Sequence, residues 1–515
     1  MARKLLPIGI QTFSRLREED AYYVDKTRLI LSLVQGGSRY FLSRPRRFGK
    51  SLLISTLKAL FEGDESLFEG LYIQREWDWS RRHPVVRLDF STGGFEKPEQ
   101  LDKDVKTQLR RIEGDARIEA RDDTAALRLR HLIQELRRRT GERVVVLVDE
   151  YDKPILDALE VPEVARANRD FLRGLYSTIK ATDEDVRFAF LTGVSKFSKV
   201  NLFSGLNNLD DITLDPRYST LCGYTDEDID TVFAPELEGL DREQVREWYN
   251  GYSWLGDEKV YNPFDVLLLF AKREFGAYWF QTGTPDFLLR TMVQRGLSSV
   301  ALNNMLASGQ LLDAFDVEHI ATEALLFQTG YLTILGKESR YGNIFYRLGY
   351  PNREVRQSLN DSLLEYLTRA SEPMIRNKIR LLDILEANDF PRLKDLFHAF
   401  FASIPYERYT HNDIARFEGF YATVVHSYFA GAGFDVVVED SSSHARLDMA
   451  VCFNGNVYLF EFKVVEHAGE GAAMAQLKAR RYADKYRSRG EPIHLIAVEF
   501  SANERNVVGF EVEAA

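Results

Sequence analysis

The chain has 515 residues, enough for about two to four domains with full cores, and is 45% hydrophobic and 28% charged, the balance of an ordinary globular protein. A net charge of −11 excludes a global field that would recruit nucleic acid, so any such contact has to come from local basic patches. Cys222 and Cys452 lie far apart without metal-site spacing, which excludes a disulfide scaffold or a zinc ribbon and suits a reducing, cytoplasmic setting.

The first residues, MARKLLPIGIQTFSRL, are charged and lack a long apolar core, so no secretion signal is expected. No run of about 18 apolar residues occurs, so no membrane span or membrane partner is expected. Within residues 22–34, Asp25 is expected to cap the helix that follows it, with Ile30, Leu33 and Val34 on one face. A looser alternative places this segment beside an adenine base.

Residues 39–43 predict a buried strand, followed by a loop ending Gly49-Lys50-Ser51 and an apolar-periodic helix. Strand, loop and helix in that order form a phosphate-binding pattern. Lys50 would reach the β- and γ-phosphates and Ser51 would hold Mg²⁺. Backbone N–H groups and the helix N-terminus would cradle the phosphates. Arg46, Arg47, Gly49, Lys50, Ser51 and Leu52 are the nucleotide-binding candidates, and Arg44 adds positive charge with Arg46 and Arg47. The irregularity is Arg44, which stands where the usual G-x-x-x-x-G-K-[ST] pattern has its first glycine.

A second strand is expected over residues 84–91, then helices near 97–113 and 121–139. Arg128, Arg130, Arg137, Arg138 and Arg139 make the latter very basic, which reads as a solvated face before it reads as a nucleic-acid patch. RVVVLVD, residues 143–149, is a continuous apolar run of the kind buried in a parallel sheet, and it ends in Asp149-Glu150. In this Walker B pattern Asp149 would orient Mg²⁺ and Glu150 would polarise the attacking water. After a helix near 163–181, another buried strand, 186–193, ends near Thr192. That hydroxyl is either a γ-phosphate sensor or a local hydrogen-bond donor. No arginine finger is identifiable; Arg217 is one guess, and a neighbour in a homo-oligomer is another source.

Alternating strands and helices make residues 1–222 a P-loop α/β domain with a mainly parallel sheet, and the separate Walker B and sensor strands favour the ATPase branch with an extra strand between them. No helicase motif set is present. Residues 223–320 turn helical and aromatic and are expected to form a lid, with the aromatics building a core rather than a base-stacking platform. Residues 321–405 suggest helix, strand, wing and strand, a winged-helix-like connector that leans to packing over DNA binding.

Residues 406–515 change character again. A helix carrying Glu418 ends at a glycine stop, and a strand carrying Asp448 turns at Asn454-Gly455, a strong hairpin signal. The returning strand carries Glu461-Phe462-Lys463, so Glu461 and Lys463 share a face. Asp448 and Glu461 would hold Mg²⁺, with Glu418 as a further ligand. Lys463 would position or deprotonate water or neutralise developing charge. Gln476 would orient the attacking group, on a helix whose Lys478, Arg480, Arg481, Lys485 and Arg487 offer a phosphate-contacting face.

These motifs together resemble the prokaryotic family that joins an AAA-ATPase-like domain to a C-terminal PD-(D/E)XK nuclease-like domain. The residues that carry the likeness are RPRRFGKSL (44–52), LVDEYDKP (147–154), LTGVSKFS (191–198) and SGLNNLDDITL (204–214). In the last hundred residues they are EGFYATVV (418–425), RLDMAV (446–451), YLFEFKV (458–464) and AQLKARRYADKY (475–486). The likeness covers nearly the full length, and an arginine at the first P-loop position belongs to it. It implies an intracellular ATPase-linked nuclease that serves mobile-element or defence biology by analogy; ATP and Mg²⁺ are the expected cofactors, and DNA is expected as partner ahead of RNA. The reading is an ATP-controlled, Mg²⁺-dependent nucleic-acid endonuclease. The alternative is an ATP-driven switch or scaffold whose nuclease-like domain only binds DNA or a protein partner.

Overall fold

Strands β1 (Arg39–Ser43), β2 (Val85–Asp89), β3 (Val144–Asp149), β4 (Val186–Gly193) and the short β5 (Asp210–Asp211) form one sheet in a computed structural model of the chain. The structure describes residues 3–121, 124–196, 202, 206, 208–280, 286–294, 299, 302–309, 321–368, 372–404, 418–441, 446–465, 471–501 and 503–515. The strand order is β2-β3-β4-β1-β5, with every neighbouring pair parallel. Burial on both faces demands continuous apolar runs, and every residue of β1 and β3 is buried. The Walker B strand β3 and the sensor strand β4 are direct neighbours, so the extra strand expected between them is not there; β4 itself lies between β3 and the phosphate-loop strand β1.

The crossovers include helices Lys50–Glu62, Pro98–Asp115, Ala125–Thr140 and Pro162–Ala181. The basic helix departs from its expected solvated face at one position. Arg128 is buried and paired with Glu113 of the preceding helix. Arg138 and Arg139 pair with Glu135 on their own helix, so local carboxylates already take up much of this charge.

Two compact units divide the chain, one of residues 1–279 and 304–352, the other of 280–303 and 353–515. This partition differs from the expected cuts after 222, 320 and 405, and long-range packing is the reason. In the first unit Tyr22 and Val24 enter one apolar core with Phe233, Tyr249, Tyr261 and Phe270. The expected lid aromatics therefore complete the N-terminal domain. Asp25 is not the expected helix cap: Lys26 holds the N-cap position, and Asp25, one residue earlier, accepts from Thr27 N at 2.8 Å and from Tyr72 N at 2.7 Å.

Strands β6 (Met305–Ser308), β7 (Thr333–Arg340) and β8 (Asn343–Gly349) form an antiparallel sheet, with helix Thr322–Thr329 leading into β7. The C-terminal end of this helix meets the phosphate-binding loop and the segment after β4. Gly330 ends the helix at φ +94°, and a Cβ there would come within 2.8 Å of Pro45. Gln328 Oε1 accepts from Lys196 N at 3.0 Å. Trp279, the last residue before the chain passes into the other unit, donates from Nε1 to Arg46 O at 3.2 Å.

The second unit holds helices Arg353–Thr368, Glu372–Glu386, Phe390–Ala402 and Glu418–Gly431, then a sheet of β9 (Val436–Ser441), β10 (Arg446–Phe453), β11 (Asn456–Val465), β12 (Ile493–Ser501) and β13 (Asn506–Ala514). Its order is β13-β12-β11-β10-β9, antiparallel except for β11 with β12. The helices before residue 405 belong here. Tyr458 of β11 donates to Leu385 O at 2.9 Å and Asn388 Oδ1 at 2.7 Å. Among the described residues no helix is long and apolar enough to cross a membrane.

Candidate functional site

The first site forms where β1, β3 and β4 end. Gly49 at φ +88° and Arg47 at φ +69° turn the loop into helix Lys50–Glu62. Lys50 is buried at the start of that helix. Its Nζ donates to Arg44 O and Pro45 O, both at 3.1 Å, and stands 3.3 Å from Glu150 Oε1. Ser51 and Leu52 follow in the first turn, both half-buried, while Arg46 and Arg47 are exposed.

Arg44 does not add charge to the loop's binding surface as expected. It is fully buried, donating to Ser43 O at 2.8 Å, Thr213 O at 3.0 Å and Tyr218 O at 3.3 Å. Its guanidinium stacks 4.1 Å from the Trp254 ring centroid, and burial lowers its pKa to about 10. An arginine in the place of the first glycine is thus a structural anchor, gathering carbonyls that would otherwise be buried without donors.

Asp149 ends β3 with no exposure, and among the described residues neither carboxylate oxygen meets a donor in good hydrogen-bond geometry. Arg87 Nη2 is 3.6 Å from Oδ2. Burial pushes the Asp149 pKa up to about 6; the Ser51 hydroxyl and Lys50 oppose this, and Glu150 and Asp89 reinforce it. A buried carboxylate with no donor in good hydrogen-bond geometry, next to a serine hydroxyl at a helix start, is an oxygen donor set that fits Mg²⁺. Glu150 follows at φ +52°, a conformation costly for a non-glycine residue and concentrated at functional sites. Thr192 is buried at the end of β4, but its hydroxyl donates to Leu42 O at 2.9 Å. The expected sensor therefore ties β4 to β1 behind the loop.

Asp152 was not among the expected residues. It is fully buried and accepts from Ser195 N at 2.6 Å, Ser195 Oγ at 2.5 Å and Val194 N at 3.1 Å. Burial and the Glu150 charge push it up to about 6, against the Ser195 bonds and Lys50. The carboxylate fixes the segment after β4 to the segment after β3. Gly193 leaves the room: a Cβ there would lie 2.1 Å from Asp152 Oδ1 and 2.6 Å from Tyr151 Cδ1. Gly193→Ala is expected to destabilise the protein by roughly 3 kcal/mol through overpacking and broken hydrogen bonds, read as a lower midpoint of denaturant unfolding. An unchanged midpoint would show that Asp152 can move aside. Arg217, the arginine-finger guess, is taken up by Asp215, with Nη2 2.6 Å from Oδ2.

The second site lies on β10, β11 and the helix Ala472–Arg480. Asn454 at φ +47° and Gly455 at φ +70° make the expected tight turn and set the register, with Phe453 opposite Asn456 and Met449 opposite Phe460. One residue past that last pair, Asp448 Oδ2 accepts from Phe462 N at 2.8 Å. Alternation does the rest. Leu459, Glu461 and Lys463 share a face of β11; Leu459 packs in the core with Ala473, Met474 and Leu477, and Glu461, two residues on, meets Gln476. Gln476 Nε2 donates to Glu461 Oε1. Glu461 is buried, and Asp448 and Lys463 are half-buried.

Arg480 lies one turn beyond Gln476 and donates to the Tyr482 hydroxyl at 3.1 Å. That bond, and then the Glu461 and Asp448 carboxylates, raise its pKa. Glu499 is a further residue the spacing did not reveal. It is buried beside Lys463 in the β11–β12 register and accepts from Ala473 N at 3.2 Å, holding the first turn of the Gln476 helix. Gly509 stands opposite, where a Cβ would come within 2.8 Å of Glu499 Oε2. Glu418 opens helix Glu418–Gly431, and its side chain lies outside the described residues. Among the described residues no three His, Cys, Asp or Glu side chains form a ready metal cluster. A pair of carboxylates on neighbouring strands still fits Mg²⁺, which keeps several waters and needs only one or two carboxylates.

Comparison with known proteins finds a family match in each of the two regions. Residues 7–203 match the AAA-ATPase-like family described as Predicted AAA-ATPase. Residues 416–510 match a family of the PD-(D/E)XK nuclease superfamily. A protein of Azotobacter chroococcum mcd 1, described as "Uncharacterized protein in vnfD 5'region", is 58% identical over 517 residues, covering 100% of both chains. With its two sites at the ends of β1 and β3 and on β10 and β11, and with a full-length relative at this identity, the chain belongs to the family that joins an AAA-ATPase-like domain to a PD-(D/E)XK nuclease-like domain.

Proposed function

We propose that the protein is a nucleotide-controlled, metal-dependent nuclease that cleaves DNA phosphodiesters. The observation that carries this reading is the meeting of Asp448, Glu461, Lys463 and Gln476 across β10, β11 and one helix. Asp448 and Glu461 would hold Mg²⁺, which when bound supplies charge neutralisation and a more acidic water. Glu461 is fixed for that role by Gln476, and Asp448 by the Phe462 N–H. Lys463 shares the Glu461 face, where its ammonium can position water or balance charge on the scissile phosphate. Arg480 adds a cation for the substrate backbone.

In the first unit, Lys50, Ser51 and the loop N–H groups would bind the ATP phosphates, Asp149 would hold its Mg²⁺, and Glu150 would orient water. The nucleotide state would then govern the second site, in a role within mobile-element or defence biology. The second reading, a switch or scaffold whose nuclease-like unit binds without cutting, draws on the absence of a ready three-ligand cluster among the described residues.

Plasmid DNA, linear DNA and RNA, each incubated with Mg²⁺ or Mn²⁺ and with or without ATP, separate the two. Cleavage of DNA that changes with ATP is the expected result, and Lys50→Ala should remove the ATP dependence. Hydrolysis of ATP with no cleavage of any substrate would leave only the switch.

A further inference from the structure

The N-terminal edge of the parallel sheet, at the opposite strand ends from Lys50 and Asp149, carries its own concentration of charge. Arg39 opens β1, Arg143 immediately precedes β3, and Arg187 is the second residue of β4. Because β4 lies between β3 and β1, these arginines start three adjacent strands. They line one open cleft of about 440 Å³, together with Gln35, Ser38 and Asp183. That volume is within the range of small-molecule sites.

The charge in the cleft is unbalanced. Asp183 is the one carboxylate in its lining, and its side chain is 65% exposed. It is taken by Arg39, whose Nη2 donates to Asp183 Oδ1 at 2.9 Å and to Val186 O at 3.0 Å. Arg39 is buried, and its Nε meets no acceptor among the described residues. Among the described residues, the side chains of Arg143 and Arg187 make no hydrogen bond or ion pair. The arginines also feel one another. Burial first, then the Arg143 and Arg187 charges, lower the Arg39 pKa against Asp183; burial and Arg143 lower that of Arg187. The helices Thr27–Gly36 and Pro162–Ala181 end a few residues before β1 and β4, and beside the cleft Arg39 takes the carbonyl of Val186, the first residue of β4.

We propose that this cleft binds the terminal phosphate of a small phosphorylated molecule. Three guanidiniums against one carboxylate leave two positive charges, the complement of a phosphate monoester of about −2. Guanidinium forks suit phosphate oxygens better than ammonium groups do. The arginines grade from buried Arg39 through half-buried Arg187 to exposed Arg143, a recess that a terminal phosphate enters and the outer backbone of a duplex does not.

The probe is inorganic pyrophosphate, titrated by calorimetry into the full-length Lys50→Ala chain in a metal-free buffer, which suppresses the phosphate-binding loop. Binding at one site per chain is expected, weakened at least roughly tenfold when Arg143→Ala and Arg187→Ala are added. Arg143→Lys with Arg187→Lys keeps the charge and the fold and should bind between these two. No binding to the Lys50→Ala chain would overturn the proposal, as would equal affinity in the alanine or lysine variants. Displacement of pyrophosphate by duplex DNA at matched phosphate concentration would assign the cleft to nucleic-acid backbone and overturn the small-ligand reading.

Discussion

Asp448→Asn is expected to lower metal-dependent DNA cleavage on the order of a thousandfold while leaving the fold and nucleotide binding intact. The substitution isolates charge from structure. Asp448 Oδ2 is an acceptor for the Phe462 N–H at 2.8 Å, and the asparagine carbonyl oxygen can accept the same bond. The strand pairing that sets Glu461 beside Gln476 is therefore kept. What disappears is one of two anionic oxygen donors, and a hard divalent cation depends on them for most of its affinity. Cleavage should be measured with Mg²⁺ and with Mn²⁺, beside a thermal unfolding curve. A folded variant that still cuts at the parent rate would remove Asp448 from the metal site and with it the nuclease reading.

Asp149→Asn should move stability and function in opposite directions. Asp149 has no exposure, and its pKa is raised from 3.8 to about 6, chiefly by burial. A carboxylate whose folded pKa exceeds its unfolded one costs stability as it ionises. The cost is absent below about pH 4, grows as pH rises to about 6, and is complete at neutral pH, on the order of 3 kcal/mol. Removing the charge recovers up to that amount, so the variant should melt several degrees higher than the parent in EDTA at pH 7. With Mg²⁺ and ATP the order reverses: the parent gains stability from the bound ligand and the variant gains little. In the parent, Mg²⁺-dependent ATP affinity should fall as pH drops through about 6, because protons compete for the same carboxylate; in the variant that slope vanishes. A variant less stable than the parent in EDTA would contradict the burial penalty. Equal stabilisation by Mg²⁺ and ATP would show that the carboxylate is no ligand.

Short-range features were legible in the sequence. The apolar run of β3, the Gly49-Lys50-Ser51 turn, the Asn454-Gly455 hairpin and the shared face of Glu461 and Lys463 each depend on neighbours a few residues away. Residues whose roles are set across the fold were not. Asp152 reads as one more acid after Asp149-Glu150 until the chain returns 43 residues later with Ser195. Arg44 looks like a defect until Tyr218, 174 residues on, supplies a carbonyl. Glu499 has no meaning before Ala473, 26 residues earlier, packs against it. Gly193 carried a readable clue, a glycine directly after a strand-ending threonine, whose reason is the space that Asp152 fills. The grouping of the chain is also set across the fold: residues 304–352 lie in the first unit, where Gly330 and Gln328 meet Pro45 and Lys196.

The Trp279–Arg46 hydrogen bond bears on how a message leaves the first unit. Trp279 is the last residue before the backbone crosses to the second, and it is latched to the carbonyl of a residue inside the phosphate-binding turn. Under the proposed nucleotide binding, a displacement of the turn would reach the start of the connecting chain through this one hydrogen bond.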